Sequence, residues 1–454
     1  MVRRLGAENV VTDAAKLAAF AGDKWFAEAQ PDLAVTPGST DEVAFVMRAA
    51  SAAGVPVTTR GAGHGYVGGC VPVRGGLVLS TRRMNRILAV DGKDFVAVVQ
   101  PGVITGKLQA RAKKRGLLYP PDPASLKDCS IGGNIATNAG GPRCLKYGVT
   151  RNYVLGLEVV LADGTVVRLG GRSHKNKTGF DLIGMFVGSE GLLGVVTEAT
   201  LRLLPHPPAR AVLSAGFPKM RSAAAAVQAV FGRGFLPAAV EVADRFTLEA
   251  ARANGALTRV PPGEAHVLIE IDGQERSVVG ETADLAALLE DSGATEVVTA
   301  TMPGDCDELW ALRRGFSLSL RATGLTKLNE DIVVPRGRLV DLVRFAEGLE
   351  RRCGYAIACF GHAGDGNIHV NLMAADYDQD EVRERVHAAL DELFTKVLEW
   401  GGAISGEHGI GLAKMPWWEQ AVTPEVRELH DQIKRALDPA GLLNPGKFVD
   451  VSER

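Results

Sequence analysis

The stretch RGAGHGYVGG, residues 60–69, places five glycines in ten residues, with one arginine and one histidine among them. Glycine lets backbone approach a bulky group closely and take positive φ. A loop of this kind cradles an anion through its N–H groups. What precedes the loop decides how it is read. LAVTP at 33–37 has the composition of a strand. Ser39 lies three residues before Glu42, the spacing of a capping box, which predicts a helix through VAFVMRAASAAG. VPVTT then reads as a second strand running into the glycines. The order is strand, helix, strand, glycine loop. A dinucleotide-binding fingerprint needs its glycines to lead directly into a helix N-terminus, so this context contradicts a Rossmann site.

Further β-type runs follow at GLVLS, FVAVVQPGV, LEVVLADGTVVRL and LGVVTEATLRLLP, with Asp163-Gly164 as a hairpin turn signal. Residues 120–148 are rich in Pro, Gly and Asn but also in small apolar residues. A solvated loop would be more polar, so this stretch is expected to lie against something. Prolines at 205, 207 and 208 mark a domain boundary. Beyond it, Ala-rich helices alternate with strands, as in helices layered on an antiparallel sheet. The tail LDPAGLLNPGKFV regains the Pro/Gly texture of the first domain. The expected division is 1–208, 209–436, and a tail at 437–454 that returns to the first domain.

At 454 residues the chain is too long for one core. A net charge of −2 gives no electrostatic case for nucleic acid. No apolar run approaches the roughly 20 residues of a membrane helix, and MVRRLGAENVV does not read as a signal peptide. Six cysteines without a C-x-x-C pair read as thiols in a reducing, cytoplasmic compartment, with no iron–sulfur cluster of the chain's own.

Chemistry concentrates in CFGHAGDGNIHVNLM, residues 359–373, which holds His362 and His369. His369 and Asn371 alternate with Ile368, Val370 and Leu372, so the polar side of this strand must face a site or water. AISGEHGIG, residues 403–411, adds Glu407 and His408. Two histidines and a carboxylate form a ligand set for Zn²⁺ or Mn²⁺ with open positions; the alternative is two glycine-rich turns with surface histidines. Residues 310–335 read as a helix, a turn at Thr323-Gly324, and a strand. Arg313 and Ser317 share one helix face. Arg313 there is either a bidentate carboxylate clamp or a solvated residue. Cradle and metal set fall in different domains, which places the expected active site between them.

Six blocks occur in order: RGAGHGYVGG, PPDPASLKDCSIGGNIATNAGG, GSEGLLGVVTEATLRL, GHAGDGNIHVN, SGEHGIG and LDPAGLLNPGKF. Over residues 33–448 they resemble the FAD flavoproteins of the vanillyl-alcohol oxidase/p-cresol methylhydroxylase superfamily. The nearest branch is that of D-lactate dehydrogenases, glycolate oxidase catalytic subunits and D-2-hydroxyglutarate dehydrogenases. The resemblance implies an α+β chain, with a two-part PCMH-type FAD-binding domain and a ferredoxin-like substrate (cap) domain. It implies that Arg60, Gly61, Ala62, Gly63, His64 and Gly65 hold the FAD pyrophosphate through backbone N–H groups. Pro121, Ser130, Gly132, Gly133, Thr137, Asn138 and Gly140 would line the flavin and the rest of FAD. Glu190, Gly191, Val195 and Val196 would sit near the adenosine half or the ring edge, and Asn444 and Lys447 would bring the tail to the isoalloxazine. His362, His369 and Glu407 match the family's ligands for a divalent metal, Zn or Mn. His408 matches its catalytic base, Arg313 its carboxylate-binding arginine, and Asn371 a polar contact to substrate or metal.

Two departures stand out. Near relatives usually have Thr at the position of His64; in more distant members a His there bonds covalently to the flavin, so His64 either forms that bond or packs near the ring. Some relatives carry a substrate-binding lysine beside the strand where this chain has Leu-Asn-Glu-Asp. Lys327 reads as close but off register, which favours a small substrate. The activity implied is FAD-dependent oxidation of a D-2-hydroxy acid, glycolate or D-lactate, with hydride transfer to flavin N5. The electron acceptor would be an iron–sulfur subunit, a quinone, an electron-transfer flavoprotein or oxygen, which could hold the protein at a membrane periphery. The oligomeric state stays open, a homodimer included. The competing readings are a non-redox flavoprotein of the alkyl-glycerone-phosphate synthase type and a flavin-free metal hydrolase.

Overall fold

A computed structural model of the chain describes residues 1–255 and 260–451. They divide into two compact units. The first comprises Met1–Gly140, Gly148–His206 and the stretch from Glu407 onward; the second comprises Gly141–Tyr147 and Pro207–Gly406.

Among the described residues the first unit holds two main sheets and a short two-stranded one, Leu117–Leu118 with Leu204–Pro205. In the four-stranded sheet the order is Val10–Val11, Leu33–Val35, Leu77–Ser80, Val57–Arg60. The helix Thr40–Ala53 connects two of its parallel strands. Ser39 Oγ accepts from Glu42 N at 3.2 Å, while Glu42 reaches back to Gly38 N at 2.7 Å. The helix ends at Gly54 in the left-handed conformation. Its face of Val43, Val46, Met47 and Ala50 closes the core over Val57, Leu77 and Leu79. The five-stranded sheet is antiparallel, in the order Ile87–Asp91, Val96–Val99, Val195–Arg202, Val154–Val160, Val166–Gly170. Residues 195–201 alternate buried with half-buried, the pattern of a sheet with one face on the core.

The second unit is one seven-stranded antiparallel sheet. Its order is Glu296–Ala300, Ala209–Phe217, Ala265–Gly273, Ala239–Ala243, Ala356–His362, Asn367–Ala374, Thr326–Val333. The helix Pro303–Ala322 lies on it, with Phe316 edge-on to Phe360 at 5.9 Å. Asn367–Ala374 is buried throughout. Its polar side is therefore covered rather than wet.

The chain returns to the first unit at Glu407, not at 437. The helix Pro424–Leu437 is tied there by Lys434. Its buried ammonium donates to Leu192 O and Leu443 O at 2.8 Å and to Asp438 Oδ2 at 2.6 Å. Leu443 then bridges Val57 in parallel, extending the four-stranded sheet by one residue pair. Among the described residues, no helix is long and apolar enough to cross a membrane.

Candidate active site

In the first unit the glycine loop begins where Val57–Arg60 ends. Ser130 caps the helix Ile131–Thr137, its Oγ accepting from Gly133 N at 3.3 Å and from Ala62 N at 3.2 Å. One hydroxyl thus pins the loop to the helix start. Gly63 has φ +72°, and a Cβ there would lie 2.2 Å from the Arg60 guanidinium. Arg60 folds over the loop, donating from Nη1 to Gly22 O at 2.6 Å and to Cys70 Sγ at 3.2 Å. Its side chain shapes the cradle. The N–H groups of the half-buried Gly63, His64 and Gly65 meet no protein acceptor among the described residues. A loop of outward N–H groups fits a diphosphate.

Other expected FAD residues are distributed as follows. Pro121 O accepts from Gln109 Nε2 at 2.9 Å, Gly132 N donates to Pro101 O at 2.7 Å, and Thr137 Oγ donates to Gly133 O at 3.3 Å. Asn138, at φ +51°, ends the helix, and Gly140 is the last residue before the chain enters the second unit. Gly191 has φ +76°, and Val196 is half-buried on Val195–Arg202. The Val195 side chain belongs to the apolar core, which leaves only its backbone for a ligand. Asn444 joins three segments, its Nδ2 donating to Gly69 O and to Glu190 O at 2.9 Å while its buried Oδ1 has no partner. That orphaned acceptor is what a bound ring donor would satisfy. Lys447 Nζ donates to Val71 O at 2.8 Å.

Glu190 also ties two stretches of the first unit together. Its carboxylate accepts from Ile410 N at 2.7 Å and Gly411 N at 2.9 Å, clamping the loop that follows His408. Burial pushes this carboxyl up to about 7, against the two backbone donors. The His408 ring stacks on Tyr66 with centroids 5.3 Å apart.

In the second unit the hairpin Ala356–His362/Asn367–Ala374 carries both histidines on one face. Their ring centroids lie 5.5 Å apart, and both are buried. The surface-turn reading is therefore set aside. His362 Nδ1 is 2.6 Å from Glu241 Oε1, which leaves Nε2 for a cation. His369 Nδ1 lies 4.0 Å from Asp331 Oδ1. Asp331 also receives Gly406 N at 2.9 Å on Oδ2 and Asn367 Nδ2 at 2.6 Å on Oδ1. One buried carboxylate thereby fixes the chain up to the residue before Glu407, beside His369. A Cβ at Gly406 would meet Asn367 Nδ2 at 2.2 Å, so that approach requires glycine. Asn371 is fully buried; its Nδ2 donates to Ala358 O at 2.9 Å, and its Oδ1 has no partner. Nitrogen donors on a dry face with an orphaned amide oxygen fit a divalent cation and a polar ligand.

Phe360 sits at the centre of this face, 5.2 Å from the His369 ring. Arg313 lies over it at 5.0 Å and Lys327 at 5.8 Å. Arg313 is 9% exposed, not solvated, and its Nε donates to Glu241. Lys327 stands opposite Met373 in the strand register, and its Nζ donates to Ser317 Oγ at 2.9 Å. Its ammonium and the Arg313 guanidinium both lie over the Phe360 ring. Burial, with Arg321 and Arg313 repelling it, pulls Lys327 down to about 7 from the usual 10.5. Between those values the unfolded chain binds more protons than the folded one, so stability rises with pH across that window. Lys327→Met is therefore expected to raise Tm by a few degrees near about pH 6 and to lose the gain by about pH 10. Thermal scans across this range check it; a gain independent of pH contradicts the burial argument.

Residues 206–448 match the C-terminal domain of the FAD linked oxidases, and residues 31–170 match an FAD binding domain. The chain is 39% identical over 421 residues to glycolate oxidase subunit GlcD of Bacillus subtilis (strain 168), covering 93% of this chain and 89% of the relative. It is 35% identical over 432 residues to D-lactate dehydrogenase of Anaerostipes hadrus, covering 93% and 90%. The chain belongs to the FAD-linked oxidases. Its fold is that of the PCMH-type flavoproteins: p-cresol methylhydroxylase with substrate bound is similar at TM-score 0.77 and 21% identity, over 99% of this chain and 96% of the other. As an FAD-linked oxidase the protein is an FAD-dependent oxidoreductase, and the flavin-free hydrolase reading is set aside.

Glu241 and Asp331 were not singled out by sequence reading, nor was the clamp that Glu190 makes. Glu241 lies in an apolar strand and Asp331 in a mixed one, both buried by distant neighbours, and the clamp by Glu190 spans 220 residues. For Glu241 the local signal was a lone acid within the apolar run AVEVA at 239–243.

Proposed function

We propose that this FAD-linked oxidase converts a small D-2-hydroxy acid, glycolate or D-lactate, to the 2-oxo acid, with a Zn or Mn ion held by His362, His369 and Glu407. The observation that carries this reading is the buried face of the second unit, where Arg313, Ser317 and Lys327 stand beside His369 and Asn371 around Phe360. A carboxylate clamp and cation ligands on one dry surface suit a molecule that bears a carboxylate next to a hydroxyl. The relatives' names point to the same substrate class.

When bound, FAD and the cation supply a hydride acceptor at flavin N5 and a Lewis acid at the hydroxyl oxygen. The protein's own groups do the rest. Arg313 pairs with the carboxylate through its terminal nitrogens and fixes the direction of the C2–H bond. Asn371 Oδ1 accepts a hydrogen bond at the buried end of the site. His408 takes the hydroxyl proton on a ring nitrogen, as general base. Glu190 keeps its loop in one conformation. The apolar surroundings exclude water from the developing alkoxide. His64 is the residue through which a covalent flavin would be held; acid precipitation would then leave the colour with the protein. Electrons leave to an iron–sulfur subunit, a quinone, an electron-transfer flavoprotein or oxygen, in the cytoplasm or at its membrane face.

The test is turnover with an artificial electron acceptor before and after chelation, with metal content measured. The metal-free flavoprotein is expected to stay yellow and to lose turnover, and added Zn²⁺ or Mn²⁺ to restore it. Full activity after verified metal removal overturns the metal assignment.

A further inference from the structure

Glu241 belongs to the strand Ala239–Ala243, where its neighbours Val240 and Val242 are buried and apolar. The strand lies next to Ala356–His362, and Glu241 stands directly across from His362 in register. The carboxylate is 1% exposed. Burying an ionised carboxylate is expensive unless every oxygen is engaged. Both are: Oε1 lies 2.6 Å from His362 Nδ1, and Oε2 receives Arg313 Nε. A strand from a third part of the chain thus touches the expected cation ligand with one oxygen and the expected substrate clamp with the other.

We propose that Glu241 is a positioning residue shared by the cation and the substrate, so that each is bound more weakly without it and the two are energetically coupled through it. The inference rests on the reading that His362 ligates a cation and Arg313 a carboxylate. On the His362 side, the carboxylate fixes the tautomer with hydrogen on Nδ1 and presents Nε2 as ligand; a carboxylate behind a ligating imidazole also raises its basicity. On the Arg313 side, engagement of Nε removes one edge of the guanidinium fork. The group is left to meet a substrate carboxylate end-on, with its two terminal nitrogens. A carboxylate that draws on the Arg313 charge leaves more of the Glu241 charge to His362, so acid and cation favour each other's binding, and the effect is reciprocal.

The test is Glu241→Gln in the full-length flavoprotein, which keeps shape and removes charge. Zn²⁺ and Mn²⁺ affinity is measured by equilibrium dialysis against a chelator, with no organic acid present. KM and kcat for D-lactate and glycolate are measured at saturating cation. Expected are an affinity loss of about ten- to a hundredfold and a KM raised about tenfold at saturating cation, with kcat falling less and flavin content unchanged. Loss of cation affinity with an unchanged KM, or the reverse, overturns the shared role, as does no change in either. Wild-type protein that binds neither cation contradicts the functional reading itself, a result separate from failure of this inference. If Glu241→Gln does not fold or load flavin, Arg313→Lys answers the same question. Arg313 is not a cation ligand, yet this change is expected to shift acid-free cation affinity at least threefold; an unaltered affinity overturns the proposal.

Discussion

Replacing His408 with alanine is expected to lower kcat by about a hundredfold or more while the flavin stays bound, the usual size of a general-base contribution. The geometry explains why the loss should be confined to chemistry. His408 stacks on Tyr66, and the backbone that follows it is gripped by Glu190 through Ile410 N and Gly411 N. The two bonds to Glu190 are made by backbone beyond His408, so removing the imidazole costs the stacking on Tyr66 but leaves that grip in place. The cradle around Gly63 and Ser130 is untouched as well. Steady-state kinetics with absorbance of the bound flavin separate the two effects. An unchanged rate removes His408 from the proton transfer.

Arg313→Met is expected to be the most damaging single change in the second unit. It removes the clamp, and loss of one partner of a desolvated charge pair costs about 3 kcal/mol or more in kcat/KM, a factor above a hundred. It also strands Glu241, which is 1% exposed and loses the guanidinium on Oε2 while His362 stays on Oε1. Breaking a buried ion pair from one side destabilises by roughly 3–5 kcal/mol. Activity and Tm should therefore fall together. Arg313→Lys retains charge without the planar fork, and should recover stability better than activity. Denaturation and kinetics on both variants decide this; an Arg313→Met protein of wild-type Tm and kcat/KM contradicts the buried clamp.

Local chemistry made much of this legible in the sequence. The Ser39 cap, the Asp163-Gly164 turn and the alternation across His369 and Asn371 each act within a few residues, and each lies where that chemistry puts it. The glycine loop was readable because its context ruled out the commoner use of such a motif. What stayed hidden depends on pairing over long separations. Glu241 reads like any strand glutamate until it is known that His362, 121 residues on, stands opposite it. The bond of Lys327 to Ser317 is set by the turn and strand that follow the helix, not by helical spacing. The return of the chain at Glu407 is fixed by Asp331 on one side and Glu190 on the other, neither of which is a neighbour in sequence. The bonds of Arg60 to Gly22 O and Cys70, which make its side chain a brace for the loop, likewise join residues apart in sequence.

Anaerobic mixing of the purified flavoprotein with D-lactate or glycolate, with visible absorbance followed through a single turnover, tests the central claim most directly. Bleaching of the flavin by one of the two acids, with the 2-oxo acid formed in equal amount, is the predicted result. A flavin that keeps its full colour with both acids, in protein verified to hold its cation, would contradict it.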